Sequence, residues 1–164
     1  MSNPHRSEVT IRWTGDGGSG TSGYAAYARD HVIEAAGKAD EIAGSSDPRF
    51  RGDPTRWNPE ELLLASVAAC HQLWYLHLCA DAGVVVTGYV DRARLTLAFD
   101  ADGGGRVARA TLRPRVSITP GSDPARAAAL HAEAARLCFI ARSVAFPVDH
   151  EPVIEVIAAA GRAV

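Results

Sequence analysis

The chain has 164 residues, 47% of them apolar, and a formal net charge of −2 at pH 7. That size buries a substantial core without disulfide staples and makes one domain over residues 1–164 the expectation. With a pI near 6.3 and scattered Lys and Arg residues there is no basic surface for a phosphate backbone, so nucleic acid is excluded as an expected partner.

Met1–Arg6 lacks the apolar region of a secretory signal and nothing downstream resembles a transit peptide, which implies a cytoplasmic protein. Residues 1–6 and 158–164 read as flexible tails. Val9–Trp13 alternates apolar and polar side chains, Gly15–Gly23 is a glycine-rich loop, and Tyr24–Ala35 resumes with strand-like residues ending at Gly37. This pattern predicts an N-terminal β-hairpin. From Lys38 to Trp57, Gly, Ser, Asp and two prolines with little periodicity predict an extended surface loop, which carries Arg49, Arg51 and Arg56.

Asn58 can cap a helix, Pro59 suits its first position, and Glu60 and Glu61 favour the positive end of its dipole. The body of this 58–80 helix is apolar on nearly every face, the pattern of a core helix surrounded by protein. Glu61, His71-Gln72 and His77 interrupt the apolar run, leaving it short of the ~20 residues of a membrane span.

Gly83 ends the helix, and Val84–Val90 opens a long β stretch that continues through Ala93–Phe99. Asp102–Gly105 turns it back into Val107–Ile118, a second and larger hairpin. Asp123-Pro124 starts a second helix, with Leu130, Ala134, Leu137 and Ala141 on one face and Cys138 near its C-terminal end. Val153–Ile157 supplies a last strand. The order ββ, α, ββ, α, β predicts an α+β fold, with antiparallel hairpin sheets wrapped around long buried helices.

Gly15-Asp16-Gly17-Gly18-Ser19-Gly20 matches the letters of a dinucleotide fingerprint, but no apolar-periodic helix follows it and no βαβ unit surrounds it. A flexible hairpin loop is the expectation there. Cys70, His71, Cys79, His131 and Cys138 are the right residue types for zinc, yet no C-x-x-C or H-x-x-x-H spacing pairs them, and neither metal nor cofactor is expected. Three cysteines, an odd number, argue against a structural disulfide framework. Cys79, nine positions beyond Cys70, stands roughly 13 Å along the same helix axis, too far for a disulfide, and reads as core packing. Cys70 and Cys138 lie on separate helices that can approach each other. From composition alone they are either a reactive pair or inert buried thiols.

The run Phe50-Arg51-Gly52-Asp53, then Trp57-Asn58-Pro59-Glu60-Glu61-Leu62-Leu63, Ala69-Cys70-His71 and Leu73-Trp74-Tyr75-Leu76-His77-Leu78 resembles the OsmC/Ohr family of osmotically induced and organic hydroperoxide resistance proteins. Tyr89-Val90-Asp91 and Cys138-Phe139-Ile140-Ala141-Arg142-Ser143 fit the same pattern, so the resemblance covers nearly the whole chain. It implies an OsmC-like domain in an intertwined homodimer and a thiol peroxidase, with Cys70 peroxidatic and Cys138 resolving. An arginine and a glutamate beside the thiolate fall, by the same resemblance, on Arg51 (Arg49 second) and Glu60. The implied reductant is a lipoylated protein or another small dithiol.

Glu60 and Cys70 are ten positions apart, roughly 15 Å along one helix, so a Glu60–Arg51 pair touching Cys70 points to a second subunit. On this reading Arg51 favours the Cys70 thiolate and Glu60 holds the guanidinium. Trp57, Trp74 and Tyr75 are candidates to line a pocket for alkyl or fatty-acid hydroperoxides, or else core aromatics. Two other functions fit the same residues: a non-catalytic binder of apolar small molecules, and a redox sensor switched by a Cys70–Cys138 disulfide.

Overall fold

The computed structural model describes residues 5–157; most of the two expected tails, residues 1–4 and 158–164, lies outside the described residues. The chain divides into two compact units between Leu62 and Leu63.

In the first unit, strands β1 (Thr10–Trp13), β2 (His31–Glu34) and β3 (Ile42–Gly44) form an antiparallel sheet in the order β1-β2-β3. The expected hairpin is present, registered from Thr10 opposite Glu34 to Trp13 opposite His31. Its second arm is shorter than the alternation implied: Tyr24–Asp30 makes only scattered backbone bonds, Ala28 N–H to the Gly15 carbonyl at 2.9 Å and Thr14 N–H to the Asp30 carbonyl at 2.8 Å, and is fixed further by a side chain. Arg29 donates to the carbonyls of Tyr27 at 2.6 Å and Tyr24 at 2.7 Å, and its guanidinium lies over both rings. The glycine-rich loop closes on Asp16, whose Oδ1 accepts the N–H groups of Gly18 and Gly20 at 2.8 and 2.9 Å. Those N–H groups are therefore occupied, and no helix follows to carry a phosphate.

The 38–57 segment is not a plain loop. It contains β3 and a 3-10 turn at Pro48–Phe50 capped by Asp47. Three residues are too short to show alternation; β3 exists because β2 offers a free edge. Fully buried Ser45 ties the segment down, donating to Asp30 Oδ1 at 3.0 Å and accepting the N–H of Asp53 at 3.1 Å. Arg56 adds ion pairs to Asp30 at 3.4 Å and Asp53 at 3.7 Å. Gly52 is required, since a Cβ there would lie 1.6 Å from the Ser46 carbonyl oxygen.

Helix α1 spans Pro59–Asp81. Its start is a reciprocal capping box: Asn58 Oδ1 accepts the Glu61 N–H at 2.8 Å while Glu61 Oε2 accepts the Asn58 N–H at 3.1 Å. Its end is set by Gly83, at φ +69°, which lets the Val84 N–H reach the Cys79 carbonyl at 2.9 Å. Within the chain only one stripe of the helix is buried, Val67, His71, Tyr75 and Cys79 at steps of four. The expectation of a helix enclosed on all sides is therefore not met by one chain, and Leu73 is left 68% exposed. By length and composition α1 also qualifies as a membrane crossing, contrary to the shorter run read from the sequence. Its formal charges, Glu60, Glu61 and Asp81, sit at the two ends, and the uncharged polar residues between them interrupt it too weakly.

The second unit continues with β4 (Val86–Asp91), β5 (Arg94–Phe99), β6 (Gly105–Leu112) and β7 (Pro114–Ile118). The large hairpin is there but breaks at Arg92-Ala93 and Arg113, so β4 pairs with β7 and β5 with β6, both antiparallel. Helix α2 (Pro124–Leu137), capped by Asp123 as expected, and the strands β8 (Val148–His150) and β9 (Val153–Val156) follow. β8 and β9 add in parallel to β6 and β7, giving two mixed sheets, β4-β7-β9 and β5-β6-β8. The wholly antiparallel expectation is corrected here: β8 is too short to signal itself, and neither added strand follows its neighbour by a tight turn. The core joins Tyr75 and Cys79 of α1, Ala127, Leu130 and Ala134 of α2, and Val116 and Ile118 of β7. The fold is α+β.

Candidate active site

Cys70 is half-buried on α1, next to the buried stripe at His71. Cys138 was expected on the second helix; it instead caps it. Its ψ of 112° is extended, its N–H still reaches the Ala134 carbonyl at 2.9 Å, and α2 ends at Leu137. The backbone then turns so that the Ala141 N–H donates to Cys138 Sγ at 3.4 Å, and a short 3-10 turn, Ala141–Ser143, follows.

The fold brings the two sulfurs close enough to interact: the fully buried Cys138 thiol neighbours that of Cys70. Burial, then the contact with Cys70, pushes the Cys138 thiol up to about 11, against the opposing pull of the Ala141 N–H. A thiol that keeps its proton at neutral pH can present its S–H to the neighbouring sulfur. Both cysteines are reduced, so this is a dithiol at contact range that one two-electron oxidation can close.

Cys79 takes no part. It is 1% exposed beside the Tyr75 hydroxyl, and burial raises its thiol pKa. Nine residues of helix separate it from Cys70, roughly 13 Å along the axis and outside disulfide reach.

Arg51 and Glu60, the other two residues singled out by the resemblance, lie in the first unit. Arg51 is exposed at the end of the 3-10 turn in the left-handed region, φ +66°, with its N–H on the Pro48 carbonyl at 3.0 Å. Glu60 occupies the first turn of α1. Of the two adjacent glutamates, Glu61 is committed to the capping box, whereas Glu60 is not part of it. Trp57 is 52% exposed in the first unit, and Tyr75 is sealed in the core of the second, away from any pocket. Trp74 does better. One turn beyond Cys70, it meets Phe139, the residue after Cys138, edge to face at 5.7 Å, and with Leu73 and His77 it borders an open hollow of about 240 Å³.

Sequence reasoning weighed His71 and His131 only as metal ligands or satisfied core histidines, and did not weigh His150. In the structure His71 Nε2 and His131 Nδ1 are 3.0 Å apart and both rings are buried. The His150 ring centroid lies 4.5 Å from that of His71, and Tyr75 stacks on His131 at 3.9 Å. Burial first, then the neighbouring imidazoles, depresses His71 to about 3 and His131 to about 4. All of this cluster is neutral at pH 7. Among the described residues, no group of three or more His, Cys, Asp or Glu side chains is arranged to hold a metal ion.

The family model described as OsmC-like protein matches residues 52–152, which span both cysteines and the start of α1. The chain belongs to the OsmC-like family. A solved OsmC-like protein of unknown function from Vibrio cholerae is 28% identical, with a TM-score of 0.81 over 92% of this chain and 100% of that one. Two organic hydroperoxide resistance proteins share the OsmC-like fold at lower identity. The one from Elizabethkingia anophelis is 14% identical, TM-score 0.67, over 96% of this chain and 100% of its own. The one from Bacillus subtilis is 19% identical, TM-score 0.62, over 92% of this chain and 98% of its own. No curated protein matches this OsmC-like chain.

Proposed function

We propose that the protein is a thiol peroxidase that reduces organic hydroperoxides to alcohols. The observation that carries the reading is the Cys70–Cys138 contact, one half-buried sulfur against one that is sealed and protonated. Cys70, as thiolate, attacks the distal peroxide oxygen; the O–O bond breaks, the alkoxide leaves and takes a proton as alcohol, and Cys70 becomes sulfenic acid. Cys138 sulfur then attacks the Cys70 sulfur, the S–O bond breaks, and water leaves. An external dithiol reduces the disulfide and is itself oxidised.

The shared fold with organic hydroperoxide resistance proteins supports this reading, and so does the apolar hollow of Leu73 and Trp74 one turn from Cys70. An alkyl or aryl group fits that wall, whereas hydrogen peroxide gains nothing from it. We assign to Arg51 the guanidinium that favours thiolate and orients the peroxide, and to Glu60 the carboxylate that holds it. Both come from a second copy of the chain, docked on the uncovered side of α1. The test is consumption of cumene hydroperoxide with dihydrolipoamide as the dithiol: Cys70→Ser abolishes turnover, and a Cys70→Ser protein as active as the parent overturns the proposal.

A further inference from the structure

The strongest feature that the peroxidase scheme does not use is the buried histidine cluster. It lies on the seam between α1, which carries Cys70, and α2, which Cys138 caps. His71 directly follows Cys70 on α1, and His131 precedes Cys138 by seven residues, two turns of α2. The Nε2···Nδ1 contact of 3.0 Å is a side-chain hydrogen bond across this seam. Tyr75 and His150 brace it, stacked on His131 and packed on His71.

An apolar seam would hold α1 and α2 together without polar atoms to satisfy. The cluster instead leaves His71 Nδ1, His131 Nε2 and His150 Nε2 without hydrogen-bond partners within the described chain, an unfavourable arrangement for stability alone. What a directional hydrogen bond adds to packing is register, because it resists the rotation and axial slide that apolar contacts tolerate. Register is what disulfide closure needs, since the Cα atoms must approach within ~7 Å with a restricted dihedral about the sulfurs.

Resting on the peroxidase reading, the geometry points to His71 and His131 as the positioning pair for disulfide closure. Their imidazole-to-imidazole hydrogen bond holds Cys70 sulfenic acid and the Cys138 thiol in reacting alignment, and the attack on the peroxide does not depend on it. The bond requires both rings neutral, one nitrogen donating and the other accepting; a protonated ring offers donors at both nitrogens, and protonating the accepting ring removes the acceptor. The groups facing the pair are His150 and its neighbour Asp149 on β8, with Asp149 paired to Arg109 at 3.0 Å, and Tyr75 on α1, which packs in turn on Tyr89.

The test separates the two chemical steps in the intact protein, with dimedone trapping for sulfenic acid and mass spectrometry for the disulfide, after one equivalent of cumene hydroperoxide. His131→Leu is expected to form sulfenic acid within about twofold of the parent rate and to close the disulfide at least about tenfold more slowly, a misalignment effect. His131→Asn, whose amide stands near the position of Nδ1, restores closure. His131→Gln, polar but one bond longer, does not, and this pair decides the matter even if the leucine variant fails to fold. Closure at the parent rate in both His131→Leu and His131→Gln, or equal slowing in Asn and Gln variants, overturns the positioning role. A parent protein that forms no sulfenic acid overturns the peroxidase reading instead.

Discussion

The thiol of Cys138, just past the end of α2, neighbours the sulfur of Cys70 on α1, although the two lie 68 positions apart in the sequence. Their environments differ: Cys138 is sealed and held protonated, whereas Cys70 is half-buried. Access and reserve are thus divided between two sulfurs in contact.

That division predicts opposite phenotypes for the two serine variants. Cys70→Ser abolishes peroxide consumption. Cys138→Ser still consumes about one equivalent, accumulates a dimedone-reactive sulfenic acid, and recycles slowly. Rapid-quench trapping distinguishes them, and a sulfenic acid that forms equally in both variants contradicts the assignment.

Trp74 and Phe139 form the apolar wall beside the cysteines. Trp74→Ala is expected to lower kcat/KM for cumene hydroperoxide by roughly tenfold, the loss of an aromatic contact with the substrate, and to leave the rate with hydrogen peroxide nearly unchanged. Steady-state kinetics with both peroxides provide the comparison. An equal loss with the two would remove the wall as a specificity element.

The histidine cluster makes stability depend on pH with a definite sign. His71 and His131 titrate near 3 and 4 in the folded state, below the ordinary 6.5. Above about pH 6.5 they are neutral folded and unfolded, and stability is complete. As the pH falls the unfolded chain takes up protons that the folded chain refuses, so stability is lost by up to roughly 1.4 kcal/mol per pH unit for each histidine until the folded values are reached. His150 acts in the same direction and Asp91, raised by burial, in the opposite one near the acid end. Urea midpoints at about pH 7 and pH 5 should therefore diverge in the parent and converge in a His71→Gln/His131→Asn protein. An equal gap between the two midpoints in both proteins would contradict the burial assignment.

Leu73, 68% exposed on α1, marks the face that a second copy is proposed to cover. Light scattering is expected to give twice the 17.3 kDa chain mass for the parent, and the chain mass itself for Leu73→Asp, which buries an unpaired charge at the contact. Arg51→Ala in the dimer is expected to reduce kcat/KM by about a hundredfold, as removal of an oriented cation at the reacting oxygen does, with Arg49→Ala near the parent value.

Local chemistry made much of this legible in the sequence. Asn58, Pro59 and Glu61 encode the start of α1 and Gly83 its end, because caps and left-handed glycines act over a few residues. The pairing of Cys70 with Cys138 was readable as a possibility, since each sits on an apolar helical stretch. What was not readable depends on distant partners: β3 and β8 are three residues long and exist only by pairing with β2 and β6. The parallel additions of β8 and β9 and the end of α2 one residue before Cys138 belong to the same class. So does the His71–His131 contact, which joins positions 60 residues apart and leaves no spacing signal.

The most direct test of the central claim is to map the thiols by mass spectrometry after a single equivalent of organic hydroperoxide. The account predicts a Cys70–Cys138 link formed within seconds, with Cys79 still reduced. A link through Cys79, or three thiols left free while peroxide persists, would contradict it.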